Sequence, residues 1–463
     1  MQKQTGCPFH QFQNIKEFDA LDPAARENPL PYYDWLRDDD SRKVYKVPYE
    51  SGFYMVHRYE DVKSVFADAE NFSNEIIPTV KSPFQALMDG EEHARIRGVI
   101  SSLFTQKNIN DWEQQIRKII ITATDKLFQN KEVELFEAWA NVIPLGTLSA
   151  LFGLDSSPAA IKKLHDDSIA INKALFVTGG TGPRRSSNPN FKEKIKISWS
   201  LLKNTGRILR LKKLLGKQGM KELKAMISMQ DSTLVMPRPN FDQIPSAITP
   251  ILDLMITFAE KLHKSDDKNP SLKVFRNAIN SEDISITEMM MAGAFILFAG
   301  YETTTSLLSN CFVHLARNPE LFRQLKAHPE KIEDFIEESL RYYTPVGRFL
   351  RRAKNDVTLS GNSIPKGAIV ILMPGAANTD PDKFENGCAF DMERTNNRQH
   401  LSFGKGAHFC VGATLARMQI TIALTELLHR AETLHINEFQ PMKIVTDRDN
   451  GVLRYETMIV RVR

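Results

Sequence analysis

The sequence predicts a mainly α-helical fold with a minor β region, and three observations carry that prediction. Long segments repeat apolar residues at the helical period. The alternating stretches that read as strands are short and few, and neither an internal repeat nor a linker divides the chain. Residues 1–463 are therefore expected to form a single domain with a substantial core, preceded over about residues 1–30 by an extended segment.

Taken in order, "YYDWLRDD" near Tyr32 reads as an amphipathic helix. "KVYKVPYESGFYMVHR", Lys43 to Arg58, alternates and turns at Ser51-Gly52 as a hairpin does. From "YEDVKSVFAD" onward the pattern is mostly helical and broken at Pro and Gly clusters. Within it, His93 and Arg97 lie four apart on one helical face. The longest helix is announced by Ser285 and Glu288 at capping-box spacing and meets no breaker before Asn318-Pro319. Its apolar run, Met289 to Tyr301, is too short to span a bilayer. Gly300 costs a helix about 1 kcal/mol relative to Ala, and Glu302, Thr303 and Thr304 do not suit a dry core. Either a ligand occupies that side, or the segment is a polar kink satisfied inside the fold. Glu338 and Arg341 share a face before Pro345 ends their helix, and a surface pair of that kind contributes only about 0.2–0.5 kcal/mol. "DVTLSGNSIPKGAIVILMP" and "LRYETMIVRVR" supply the remaining strands.

Charge and cysteine usage exclude several classes. Sixty Lys plus Arg against 56 Asp plus Glu leave a formal charge of +4, too small and too evenly spread for a nucleic-acid partner. Four scattered cysteines, Cys7, Cys311, Cys388 and Cys410, make no disulfide framework and indicate a reducing compartment. The first thirty residues hold no signal-peptide core and no transmembrane anchor, so a cytoplasmic protein is expected. One basic segment stands out: Arg184 to Lys224 carries thirteen Lys or Arg against Glu193 and Glu222. It could meet an acidic partner, an anionic substrate or a membrane surface, but a solvated helical face is the expected reading.

The chemistry concentrates in "HLSFGKGAHFCVGATLAR", His400 to Arg417. Gly404, Gly406 and Gly412 permit backbone conformations closed to other residues, and helical period resumes after Cys410. A thiol at a helix N-terminus is biased toward thiolate. A catalytic nucleophile could use His408 as base, although no oxyanion site or orienting acid accompanies it. A zinc site could recruit Cys388, His400, His408 and Cys410, although the paired short spacings are missing. A haem needs only one thiolate, and the glycines leave room for its macrocycle.

At this point the chain resembles the cytochrome P450 family, in its soluble bacterial form, over nearly its whole length. The resemblance rests on "FGKGAHFCVG" (Phe403 to Gly412), "AGYETT" (Ala299 to Thr304), Glu338 with Arg341 as Glu-x-x-Arg, and "HARIR" as His-x-x-x-Arg. It implies the P450 fold, a long central helix over haem b with small β-sheets, and a monooxygenase using O2. It implies Cys410 as the iron ligand, Phe403 shielding the thiolate, and Ala299, Gly300, Gly404 and Gly412 lining the cofactor. His93, Arg97, Arg351 and His408 would hold the propionates, and Arg394 would join Glu338 and Arg341 in a structural triad. Glu302 and Thr303 would pass protons to oxygen. Phe295, Phe298, Val346 and Gly347, with Ala299, are expected to face a mostly hydrophobic substrate, and secondary metabolism is the expected setting. No flavin or iron–sulfur module is expected in the chain, so a separate ferredoxin or flavodoxin with its reductase is implied. Lys405 and Arg417 are candidates for its docking face. The basic segment falls in a substrate lid of about residues 178–250. An acyl or peptidyl carrier protein presenting the substrate is an alternative to a free small molecule, and a monomer is expected. A haem sensor and a non-monooxygenase haem-thiolate enzyme remain alternatives that have less use for the Glu302–Thr303 pair.

Overall fold

The computed structural model describes residues 29–47, 53–76, 85–175, 191–227, 244–263, 269–437, 444–446, 453–455 and 457–463. They fall into two compact units built from alternating stretches of chain. The expected turn at Ser51-Gly52, Cys7, the N-terminal segment, and lid residues 178–190 and 228–243 lie outside the described residues.

The first unit comprises Met1–Ile76, Ile120–Ala140 and Thr303–Arg463 and holds the β structure. Its main sheet runs, edge to edge, Val44–Lys46, Tyr54–Val56, Ile369–Leu372, Phe349–Ala353 and Phe72–Ser73. Val44 pairs with Val56 antiparallel, as the alternation predicts, and Tyr54–Val56 runs parallel to Ile369–Leu372. All four residues of Ile369–Leu372 are buried, because the sheet is covered on both faces. Period two divides them: Val370 and Leu372 join Val56, Phe66, Phe72 and Leu401 in one core, while Ile371 joins Met55, Tyr33 and Leu36 in another. The helix Ile332–Tyr343 packs against Ala413–Arg430 and Pro374–Asn378.

Five strands among the described residues were not expected: Phe72–Ser73, Val133–Glu134, Leu434–Ile436, Ile444–Thr446 and Phe349–Ala353. Four of them are too short to show a period, and the last carries two arginines. Its alternation is real nonetheless: Arg351 and Ala353 are buried, while Arg352 points the other way and donates to the Glu75 carbonyl at 2.9 Å.

The second unit, Ile77–Ile119 with Asn141–Glu302, is helical among the described residues. Ile244–His263 packs against Pro158–Leu175, Phe191–Lys203 and Thr205–Ile227. Phe152 meets Phe258 edge-on at 5.2 Å and stacks on Phe275 at 5.9 Å. A Cβ on Gly293 would stand 2.6 Å from the Phe258 ring, so only glycine allows that approach.

The long helix, Ile286–Arg317, runs from the second unit into the first. Its predicted capping box is present. The Ser285 amide donates to Glu288 Oε2 at 2.8 Å, and the Glu288 amide donates to Ser285 Oγ at 3.1 Å. Glu288 also takes a two-pronged contact from Arg95, whose side chain reaches it at 2.5 and 3.1 Å.

Candidate active site

In the first unit the cysteine loop folds back on itself. The Cys410 amide donates to the Phe403 carbonyl at 2.9 Å, the Gly404 amide to Leu401 at 2.9 Å, and the Phe409 amide to Gly406 at 3.0 Å. Two turns require left-handed backbone, at Gly404 (φ +68°) and Gly406 (φ +74°). Gly406 is doubly constrained, since a Cβ there would lie 2.8 Å from the Phe66 carbonyl oxygen. The helix Ala413–Arg430 begins three residues after Cys410, capped at Gly412, so the thiol precedes the helix N-terminus rather than lying within the first turn. Phe403 and Phe409 stand 6.2 Å apart, and the Arg417 guanidinium lies 4.6 Å over the Phe403 ring.

Asn378 anchors this loop. Its Oδ1 accepts the Leu401 amide at 2.7 Å, and its Nδ2 lies 2.9 Å from both Ser402 Oγ and Thr344 Oγ1. Ser402 Oγ in turn donates to the Leu340 carbonyl at 2.6 Å. Below it, Arg341 and Glu338, both fully buried, form a two-pronged pair at 2.8 and 2.6 Å. Spacing alone leaves this as an ordinary surface pair and the resemblance implies a buried triad with Arg394; in the structure the pair is sealed in the core. Arg341 also donates to the carbonyls of Asn378, Gly387 and Ala389, and Arg394 approaches Glu338 at 3.6 Å.

Sequence reasoning missed the neighbouring carboxylate. Glu337 receives Arg417 through Nε and Nη2 at 2.6 and 2.9 Å and lies 3.3 Å from His400 Nε2. Burial alone raises a carboxyl pKa, but the hydrogen bonds and charges of Arg417 and His400 prevail and hold Glu337 at about 2. The Ser402 amide donates to His400 Nδ1, so the imidazole carries its proton on Nε2. Burial holds His400 below its ordinary pKa, against the pull of Glu337. His400 is therefore a hinge of this cluster. Arg417, expected on a docking face, has its charge matched by Glu337, whereas Lys405 is exposed.

Arg351 is 5% exposed in its strand, lies 5.3 Å over the Phe66 ring and donates to the Leu350 carbonyl. His408 ends the short helical turn Gly406–His408. In the second unit His93, buried, and Arg97 share the helix Gly90–Leu103.

On the long helix Phe295, Phe298 and Thr303 are half-buried and Ala299 is exposed. At about 100° per residue these four share one face, with buried Glu302 beside them. Leu297, Tyr301 and Thr304 occupy the opposite, buried side. At Gly300 a Cβ would stand 3.2 Å from the Leu148 side chain, so the helix meets that leucine closely at this position. Tyr301 contacts Asn141 and His165, two polar partners with no signal in the sequence. Thr305 donates to the Ala140 carbonyl at 3.1 Å, satisfying one hydroxyl of the polar stretch within the fold. Val346 and Gly347 are half-buried beyond the end of Ile332–Tyr343.

The donor chemistry discriminates among the cysteine's three uses. Among the described residues no group of three His, Cys, Asp or Glu is arranged to hold a metal, so Cys388, His400, His408 and Cys410 do not assemble a zinc site. His400 is committed to Glu337 and Ser402. Cys311 is sealed, and burial pushes its thiol up to about 12. Cys410 is half-exposed on a loop with two left-handed glycines, and the space beside Gly412 is open: a Cβ there would meet nothing within 4 Å. A single soft donor with open space beside it suits a thiolate-ligated haem.

Comparison with known proteins gives the same family three times. A sequence profile described as cytochrome P450 matches residues 217–457. A Bacillus subtilis protein described as a cytochrome P450, YjiB, is 27% identical over 403 residues, 87% of each chain. The beta-dihydromenaquinone-9 omega-hydroxylase of Mycobacterium tuberculosis is 24% identical over 439 residues, 94% of this chain and 77% of that one. Among solved structures, P450BioI in complex with acyl carrier protein ligated to hexadec-9Z-enoic acid superposes with a TM-score of 0.73 at 21% identity, covering 95% of this chain and 99% of its own.

Proposed function

The chain belongs to the cytochrome P450 family and is a haem-thiolate monooxygenase, and from that premise we propose that it oxidises a mostly hydrophobic small molecule held against Phe295, Phe298 and Ala299. The observation that carries this reading is the half-buried apolar face of the long helix, with Thr303 on it and Glu302 beside it. Haem b would be held through the Cys410 thiolate and would supply the reductive activation of O2. Arg351, His93, Arg97 and His408 are the cationic or hydrogen-bonding groups available to its carboxylates.

Splitting O2 so that one oxygen enters the substrate and the other leaves as water consumes protons and electrons. In this reading Glu302, 2% exposed, would hand a proton to the neighbouring Thr303 Oγ1, whose hydroxyl would present it on the half-buried face. Excluding bulk water around Phe295 and Phe298 keeps that transfer directed. A separate ferredoxin or flavodoxin with its reductase supplies the electrons, and exposed Lys405 supports an acidic docking partner.

The test is the reduced, carbon-monoxide-bound spectrum of the purified holoprotein. The expected result is a Soret band with the thiolate signature that Cys410→Ser abolishes; a band without it overturns the reading. A screen for substrate-induced spin-state change, followed by turnover with a ferredoxin and its reductase, then identifies the substrate class.

A further inference from the structure

The helix Phe191–Lys203 is turned inside out. Its buried or half-buried side is mostly polar: Glu193 is 6% exposed, and Ile197, Ser200 and Asn204 follow it at helical spacing. Ser200 Oγ donates to the Pro245 carbonyl at 3.0 Å, and Thr249 donates to Asn204 Oδ1 at 3.1 Å, fixing that side on Ile244–His263. On the opposite side stand Phe191 (77% exposed), Ile195 (53%), Trp199 (60%) and Leu202 (64%). At about 100° per residue these four span an arc of only about 80°. Exposed Lys192, Lys196 and Lys203 border one edge of the stripe and exposed Lys194 the other. The neighbouring helix Thr205–Ile227 adds Leu209, 59% exposed, and exposed Lys212, Lys213 and Lys217.

The segment expected to be a solvated face is therefore a convex apolar ridge rimmed by cations, and its acidic residue, Glu193, is turned inward. We propose that this ridge docks peripherally on an anionic lipid surface, with Phe191, Ile195, Trp199 and Leu202 entering the acyl boundary and the lysines meeting lipid phosphates. The charge pattern selects the partner: lysines on both edges match a plane of anionic headgroups, and aromatic and aliphatic side chains need a fluid apolar layer beneath it. An acidic carrier protein would satisfy the lysines but leave a ridge of about 17 Å, eleven rises of 1.5 Å from Phe191 to Leu202, without a complementary groove. No helix among the described residues is long and apolar enough to cross a membrane, so the contact is interfacial.

The experiment is flotation of the haem-loaded full chain with phosphatidylcholine vesicles, with and without phosphatidylglycerol. The expected result is co-flotation only with phosphatidylglycerol, accompanied by a blue shift of tryptophan emission that Trp199→Phe removes without preventing flotation. Lys192→Gln with Lys194→Gln should weaken partitioning about 30-fold, at roughly fivefold for each lysine near the surface. Ile195→Ser with Trp199→Ser should weaken it by about tenfold or more. Both double variants are compared with wild type at equal haem content, which reports folding. No flotation with phosphatidylglycerol overturns the proposal. So does saturable binding of acyl carrier protein, or self-association in sedimentation, that the same variants abolish while vesicle binding is unchanged.

Discussion

Replacing Glu337 with Gln removes a charge while keeping the shape of the side chain, and the structure gives the cost. A carboxyl held at about 2 instead of its ordinary 4.5 stores about 3 kcal/mol of folding free energy at neutral pH. Because the folded-state pKa is depressed, that contribution is complete above pH 4.5 and is lost as pH falls toward 2. Burial of His400 acts in the same direction below its ordinary 6.5, in wild type and variant alike. Glu337→Gln should therefore cost about 3 kcal/mol at pH 7, and the gap should narrow below pH 4.5 and nearly close near pH 2. Urea unfolding of wild type and variant at equal haem loading, followed by circular dichroism across that range, measures it. A cost that is the same at pH 7 and pH 3 would refute the assignment, because it would come from packing rather than from the charge that Arg417 and His400 stabilise.

Arg341→Lys keeps the charge but loses the fork that reaches Glu338 and three carbonyls, and leaving that buried site incompletely paired should cost about 3–5 kcal/mol. The expected readout is poor haem incorporation, and a normal yield of haem-loaded protein would count against a structural role. Gly406→Ala meets both a left-handed backbone and the Phe66 carbonyl and should destabilise by about 1–3 kcal/mol, measured as a lowered thermal midpoint. Gly98→Ala, in a helix with open space around it, should be neutral or stabilising by about 0.5–1 kcal/mol in the same assay. Thr303→Ala should retain haem and the substrate-induced spin shift but divert reducing equivalents to hydrogen peroxide; unchanged coupling of electron consumption to product would remove the hydroxyl from the proton path.

The helical class and the long helix were legible because they rest on period and on a capping box, which are local signals. The cysteine loop was legible because glycine at a left-handed position is close to obligatory, as at Gly404 and Gly406. What the sequence hid depends on tertiary placement. By spacing alone Glu338 and Arg341 read as an ordinary surface pair, because i,i+3 spacing carries no information about burial; only the resemblance implied a buried triad, and the packing of Ile332–Tyr343 shows the pair sealed. The closeness of Leu148 to Gly300 likewise has no signal in the sequence. Phe349–Ala353 was obscured by two arginines in a row, although its alternation places Arg351 inward and Arg352 outward. At the basic segment, counting lysines identified a charged face, but only exposure shows that Phe191, Ile195, Trp199 and Leu202 are turned outward among them.

Adjacent carboxylates at Glu337 and Glu338 would ordinarily repel one another in a buried site, and their coexistence explains much of the local architecture. About 100° of helical rotation separates them, so they reach different cations. Glu338 takes Arg341 and Arg394 and, through Arg341, fixes the carbonyls of Asn378, Gly387 and Ala389. Glu337 takes Arg417, which covers Phe403, and His400, which accepts the Ser402 amide. One carboxylate thus organises the chain before the cysteine loop, and the other organises the loop and the helix that follows it. Asn378 joins the two systems, since its carbonyl belongs to the first and its side chain holds Leu401 and Ser402 in the second. The backbone around Cys410 is consequently held both by the loop's own amide–carbonyl bonds and by buried charges on one short helix, which together allow a glycine-rich segment to hold a thiol in a defined place.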